Sequence, residues 1–362
     1  MNIQNLIIAF VITLTSTLIL VFPIKKFAFK FGFVDLPSKR KIHKHVTPRL
    51  GGLAIFIGVA LGLLYLQPSH PELPAVFYGA IIVTIVGIID DKYQIRPLVK
   101  LAGQLLATTV VISGGVIIER ITLPLFGTIE FNQVVAVFIT VMWIVGITNA
   151  INLIDGLDGL ASGVTTIGLI SILIMAFMDN NVVVIYLATV LIAGNIGFLF
   201  HNFYPAKIYM GDTGSMFLGY SIAVISTLGL FKNVTIFSFI LPIIILAIPI
   251  FDTLFAIVRR ILDGESILLP DKKHIHYRLL EAGFSHRATV LIIYGFSALF
   301  GLIAILYSKA SLVVTFILSL ALLLLLQAFA ELAGVIGNGK MPLINMVHRT
   351  CKKKNVDYKS NQ

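Results

Sequence analysis

Charge is scarce in this chain. Asp, Glu, Lys and Arg make up 12% of its 362 residues, about half the share of an ordinary soluble domain. With 58% of the residues hydrophobic, that shortage excludes a soluble globular protein. Acidic residues are the scarcer sign, 17 against 27 Lys and Arg. Cysteine is almost missing: Cys351 stands alone, which excludes an intramolecular disulfide and a cysteine-based metal site. No basic n-region and no small-residue cleavage pattern precedes Lys25-Lys26, so the first apolar run is expected to be retained. No internal repeat of the transporter kind is evident, which argues against an inverted-repeat carrier.

What is abundant is apolar sequence of membrane-spanning length. Such runs fall at about 3–23, 50–67, 74–89, 98–118, 134–153, 160–178, 182–200, 214–231, 234–258, 288–307 and 312–332. The expected fold is an all-α integral membrane protein of about eleven helices. One polytopic domain, 1–335, would be followed by a basic tail, 336–362. All of the 27 Lys and Arg except Arg120, Lys232 and Lys309 fall on alternate connections. The rich side reads as cytoplasmic, with the N-terminus outside and the tail inside. Membrane topology and anionic-lipid contact are expected to account for most of the formal +10 charge, with a part left to steer an anionic substrate, and no nucleic-acid partner is expected. The outer segment from Glu119 to Gln133, around Pro124 and Gly127, reads as a small β-hairpin.

Four polar stretches interrupt the apolar pattern, all on the basic side. Carboxylates beside a membrane are costly unless something uses them. Asp90-Asp91 ends one run, where a helix C-terminus disfavours acids. It is either a solvated helix stop or a carboxylate pair held near a cation, with Arg96 and Lys100 close behind. Asn149, Asn152, Asp155 and Asp158 recur every third residue and would share one broad helix face. A capped break between helices is the plainer alternative. His201 to Asp212 precedes a run in which Asp212 is either an N-cap or, beside Gly211 and Gly214, part of a phosphate-binding turn. His274 and His276 lie among Lys272, Lys273 and Arg278. No third ligand completes a zinc set, and phosphate contact suits them better. The loop 24–49 carries Lys41, Thr47 and Arg49 before Gly51-Gly52. It is either a juxtamembrane basic segment or a nucleotide and phosphate contact.

Carboxylate and carboxamide oxygens with few soft ligands suggest a hard cation. Mg²⁺ takes one or two protein oxygens and completes its shell with water and substrate phosphate. The residues therefore point to Mg²⁺-dependent phosphoryl chemistry at the inner membrane surface.

From Pro37 to Arg287 the chain resembles the polyprenyl-phosphate N-acetylhexosamine-1-phosphate transferases, glycosyltransferase family 4. The resemblance rests on Gly87-Ile-Ile-Asp90-Asp91, on Asn149-Ala-Ile-Asn152-Leu-Ile-Asp155-Gly-Leu-Asp158-Gly-Leu, and on Met210-Gly-Asp212-Thr-Gly. The stretch Asp271-Lys-Lys-His274-Ile-His276-Tyr277 is similar to the GlcNAc-1-phosphate branch, which usually has a further His where Tyr277 stands. The three adjacent histidines of the MurNAc-pentapeptide translocase branch are not present. The resemblance implies UDP-GlcNAc and undecaprenyl phosphate as substrates, with UMP and undecaprenyl-diphospho-GlcNAc as products, in the cytoplasmic membrane. This would be the first lipid-linked step of a cell-envelope glycan. It implies Asn152 and Asp212 as ligands to Mg²⁺, with Mn²⁺ as a substitute. Asp90, Asp91 and Asp155 would be the catalytic carboxylates. Substrate contacts would come from Lys41, Thr47, Lys100, Asn149, Asp158, Asn202, His274 and His276. Another UDP-N-acetylhexosamine, or the translocase reaction, is the nearer alternative, and a secondary transporter the distant one. The oligomeric state stays open, a homodimer included.

Overall fold

The computed structural model describes residues 2–35, 46–123, 127–231, 240–264 and 274–332. It is an all-α membrane protein. Among the described residues, seven helices are long and apolar enough to cross a bilayer. These are α1 (Ile3–Phe31), α3 (Leu73–Tyr93), α5 (Gln133–Ile154), α6 (Leu160–Met178), α7 (Val182–Asn202), α12 (His286–Ser308) and α13 (Leu312–Leu332). Two further apolar helices, α2 (Gly51–Leu66) and α4 (Pro97–Ser113), are shorter.

α8 (Gly211–Ser226) lies at the centre of the bundle and packs on α2, α3 and α5. Every residue of it is buried except Asp212. A helix covered on all sides suits a deep position in the bundle; the one polar end left accessible is the one that carries the carboxylate. A π-helical turn, Thr227–Phe231, continues it. Close backbone approach sets this packing. A Cβ on Gly87 of α3 would lie 2.5 Å from Thr213 Cα and 2.7 Å from the Asp212 carbonyl oxygen. Gly87→Ala is therefore expected to force α3 off α8 at an overpacking cost of about 1–3 kcal/mol. A lower thermal midpoint in detergent, with activity falling alongside, is the readout.

Several sequence expectations meet corrections. The first helix does not stop at residue 23. It runs through Pro23 to Phe31 and ends at Gly32 in the left-handed conformation. Its 29 residues give about 43 Å of rise, longer than an apolar core of about 30 Å, so Lys25, Lys26 and Lys30 ride on a protruding end. The third helix extends to Tyr93 and takes Asp90 and Asp91 into its last turn. The run 98–118 is helical only to Ser113. The run 234–258 is not one helix: α9 (Ile240–Ile245) and α10 (Ala247–Asp263) meet at a break. Pro249 explains it, because its ring opposes the carbonyl four residues earlier, at Ile245, and it lacks an N–H. A short helix absent from the sequence reading, α11 (Ile275–Glu281), follows.

The expected hairpin is present, as β3 (Arg120–Leu123) antiparallel to β4 (Gly127–Glu130). A second pair, β1 (Val34–Asp35) with β2 (Thr47–Pro48), was not foreseen. It positions the site: Arg49 N–H donates to Phe33 O at 2.9 Å, Tyr209 N–H to Pro48 O at 2.8 Å, and Gly52 N–H to Met210 O at 2.9 Å. The segment before α2 is thus stitched on one side to the end of α1 and on the other to the approach to α8. Lys41 and the tail 336–362 lie outside the described residues.

Candidate active site

The four polar stretches converge at one end of the bundle. The crowded C-terminus of α3 is relieved in two ways. Asp91 turns under the N-terminus of α8, where an anion is welcome. Its Oδ1 accepts from Asp212 N–H at 2.8 Å; its Oδ2 accepts from Thr213 N–H at 3.0 Å and from the Thr213 hydroxyl at 2.6 Å. Gly211 makes room, since its φ is +71° and a Cβ there would stand 2.5 Å from the Asp91 carboxylate. Asp90 instead pairs with Lys100 Nζ at 3.0 Å, and Lys100 also binds Asp212 directly. One ammonium thus ties the ends of α3, α4 and α8 together.

Asn152, on the last turn of α5, donates its amide to Ser215 Oγ at 2.8 Å, and Ser215 in turn bonds Gly211 O. This fixes the rotamer, and no hydrogen bond to the Asn152 carboxamide oxygen is formed among the described residues. Asp155 follows in the turn between α5 and α6. Withdrawal from water first, then the charge of Asp212, push it up to about 8, with Arg49 opposing. Arg49 acts electrostatically on Asp35, Asp91, Asp212 and Asp155. Among the described residues, five carboxylates, Asp35, Asp90, Asp91, Asp155 and Asp212, therefore share two cations, Lys100 and Arg49.

The remaining expected residues hold the frame. Asn149 forms a reciprocal amide pair with Gln104 of α4, at 2.8 and 3.2 Å, and also bonds Val145 O. Buried Asn202 accepts from Gly159 N–H at 3.0 Å and the Ser162 hydroxyl at 3.2 Å, and donates to Ile208 O at 3.0 Å. Asp158 accepts from Ala206 N–H at 2.9 Å. Thr47, buried, bonds the Tyr209 side chain. These contacts lock the 155–159 turn against the 203–210 segment and β2.

His276 lies on α11, and His274 stands at its N-cap position. Their rings are parallel within 2° at 5.9 Å. His276 is fully buried, neither ring nitrogen has a hydrogen-bond partner among the described residues, and Nε2 packs on Gly156, 2.3 Å from where a Cβ would be. Burial holds His276 down to about 4. The folded protein then binds fewer protons than the unfolded chain between about pH 6.5 and pH 4. Its stabilising contribution is complete above that window and is lost as pH falls through it. The wild-type thermal midpoint is expected to fall relative to that of His276→Gln as pH drops from 7.5 to 5; equal slopes would show that this imidazole does not govern acid stability.

Sequence reasoning passed over Asp252 on α10. Its Oδ2 meets His274 Nδ1 at 2.8 Å and its Oδ1 accepts from Ile275 N–H at 3.0 Å. A signal was present, a lone carboxylate within an apolar run. Tyr294, whose hydroxyl donates to Gly159 O, carried none.

An acidic, cation-braced site at converging helix ends of a multi-pass membrane protein matches a known family of enzymes. The model for glycosyl transferase family 4 covers residues 73–230, the span from α3 through the π-turn. The Bacillus subtilis protein named "Probable undecaprenyl-phosphate N-acetylglucosaminyl 1-phosphate transferase" is 46% identical over 351 residues, 96% of this chain and 98% of its own length. A decaprenyl-phosphate N-acetylglucosaminephosphotransferase of Mycolicibacterium smegmatis is 38% identical over 75% of this chain and 74% of its own. The undecaprenyl-phosphate alpha-N-acetylglucosaminyl 1-phosphate transferase of Escherichia coli K12 is 28% identical over 82% of each. The chain belongs to glycosyl transferase family 4. The family span omits Arg49, Asp252, His274 and His276, all of which the fold brings to the same end.

Proposed function

We propose that this protein transfers GlcNAc-1-phosphate from UDP-GlcNAc to undecaprenyl phosphate at the cytoplasmic face of the cell membrane. The observation that carries the reading is the junction of Asp90, Asp91, Lys100, Asn152 and Asp212 at one helix-end cluster, in a chain whose relatives bear the names given above. A lipid phosphate oxygen attacks the sugar-bearing β-phosphorus; the bond from that phosphorus to the bridging oxygen breaks, and UMP leaves with it. A phosphate monoester has its second pKa near 6, so the nucleophile is already largely ionised at pH 7 and needs no strong base. We therefore favour direct displacement over an aspartyl-phosphate.

The residues fit Mg²⁺. Among the described residues the carboxylates outnumber the cations that pair with them, and the Asn152 carboxamide oxygen accepts no hydrogen bond. No group of three or more His, Cys, Asp or Glu among the described residues closes on one point, which suits an ion with few protein ligands. Asp212 and the Asn152 oxygen would hold it; when bound it supplies charge neutralisation on the diphosphate. Lys100 and Asp90 receive the lipid phosphate, and Arg49 faces the diphosphate. Asp91 positions Asp212 through the α8 cap. Asn149, Asn202, Asp158 and Thr47 shape the walls, and the histidines lie on the sugar-nucleotide side.

A panel of UDP-sugars, assayed with purified protein, undecaprenyl phosphate and Mg²⁺ or EDTA, tests this. UMP is expected from UDP-GlcNAc only when the lipid phosphate and Mg²⁺ are both present. Preference for another UDP-N-acetylhexosamine would overturn the sugar assignment. Absence of lipid-linked product with every UDP-sugar would overturn the enzyme reading.

A further inference from the structure

Asp252 is a buried carboxylate on α10, and the reaction as drawn does not use it. It is 5% exposed and His274 is 4% exposed. The two meet at 2.8 Å, while the other carboxylate oxygen accepts the first backbone N–H of α11 at 3.0 Å. Two hydrogen bonds from one side chain fix both the position of the helix carrying His274 and the rotation of its imidazole. A carboxylate can only accept, so Nδ1 is the protonated nitrogen, and Nε2 is the nitrogen left for another partner. His276 stacks parallel to this ring and covers Gly156 in the turn beside Asp155. The imidazole pair therefore bridges Asp252, buried within α10, to the wall of the site.

We infer that Asp252 is the positioning residue of His274, committing Nδ1–H so that Nε2 is the atom presented to the sugar nucleotide. The inference rests on the transferase reading above. Partners that orient a functional histidine raise its basicity and fix its tautomer, and their loss typically costs 10–100-fold. Asp252→Asn keeps the shape and turns the chemistry round. The carboxamide oxygen still accepts from Ile275 N–H, but the amide NH₂ now faces Nδ1 and imposes the opposite tautomer.

The test uses the full chain in detergent. Asp252→Asn is expected to lower kcat/KM for the UDP-sugar by about 10–100-fold while KM for the lipid phosphate stays near the wild-type value. The double variant with His274→Gln is expected to lose no more than His274→Gln alone, because the two residues act as one unit. Additive losses, or an equal rise in KM for the lipid, would overturn the inference and leave Asp252 a merely structural residue. A second measurement does not depend on Asp252→Asn folding. A long-range ¹H–¹⁵N spectrum of the wild type, with the His274 signals identified by their loss in His274→Gln, is expected to show a proton on Nδ1. A proton on Nε2 alone would contradict the inference. A wild type that turns over no UDP-sugar but shows the Nδ1 proton would sink the transferase reading and leave the dyad standing.

Discussion

Asp212→Asn is expected to abolish turnover and leave the protein folded. Asp212 is the only residue of α8 that is not buried, and it is its backbone N–H, not its carboxylate, that Asp91 holds. Lys100 keeps Asp90 at 3.0 Å as a counter-charge when the Asp212 charge is gone. The fold therefore loses little. The reaction loses a full negative charge where the account places Mg²⁺ and the diphosphate. Removing one preorganised electrostatic contact costs about 10²–10³-fold in kcat, and the loss of a metal-binding carboxylate belongs at or beyond the upper end. Asp90→Asn makes the contrast. At pH 8 the lipid phosphate is ionised without help, so that variant is expected to retain more activity than Asp212→Asn. Equal, near-total loss in both, or a trapped phospho-enzyme, would contradict direct displacement.

Asp91→Ala is expected to fail differently, by unfolding. Its carboxylate accepts three hydrogen bonds from the first turn of the most buried helix. Hydrogen bonds to a charged group contribute about 1.5–3 kcal/mol each, and a donor left buried without a partner adds a desolvation cost. A loss of about 3 kcal/mol or more follows, seen as a lower thermal midpoint and faster proteolysis in detergent. Asp91→Asn should fall between: its oxygen can still accept, but its NH₂ opposes a backbone N–H. If Asp91→Asn matched the wild type in stability while its kcat fell as far as that of Asp212→Asn, Asp91 would have a chemical role and not the positioning one assigned here.

These two carboxylates show what could be read without coordinates. Apolar runs of spanning length located the long helices, and the bias of Lys and Arg placed the polar stretches at one set of helix ends. Residue type pointed to phosphoryl chemistry. What periodicity cannot report is which atom meets which. Asp90 and Asp91 are neighbours in sequence, yet one reaches sideways to Lys100 of α4 and the other upward under α8, because consecutive helical side chains point about 100° apart. Asn149 and Asn152 lie on the same face of α5, but Gln104 takes up the first and Ser215 orients the second. Helix ends were misjudged where Pro gave mixed signals: α1 runs through Pro23, while Pro249 separates α9 from α10. Asp252 stands alone in its apolar run, and its partner, His274, is distant enough in sequence for only the fold to join them.

The central claim is that the β-phosphorus travels with the sugar. UDP-GlcNAc labelled with ³²P at either the α or the β position, given to purified protein with undecaprenyl phosphate and Mg²⁺, tests it in one step. The account predicts β-label in the lipid-linked product and α-label in UMP, in equal amounts. Recovery of both the α-label and the β-label in UDP, with no radioactivity in the lipid, would mean that the sugar moves without its phosphate and would contradict the account.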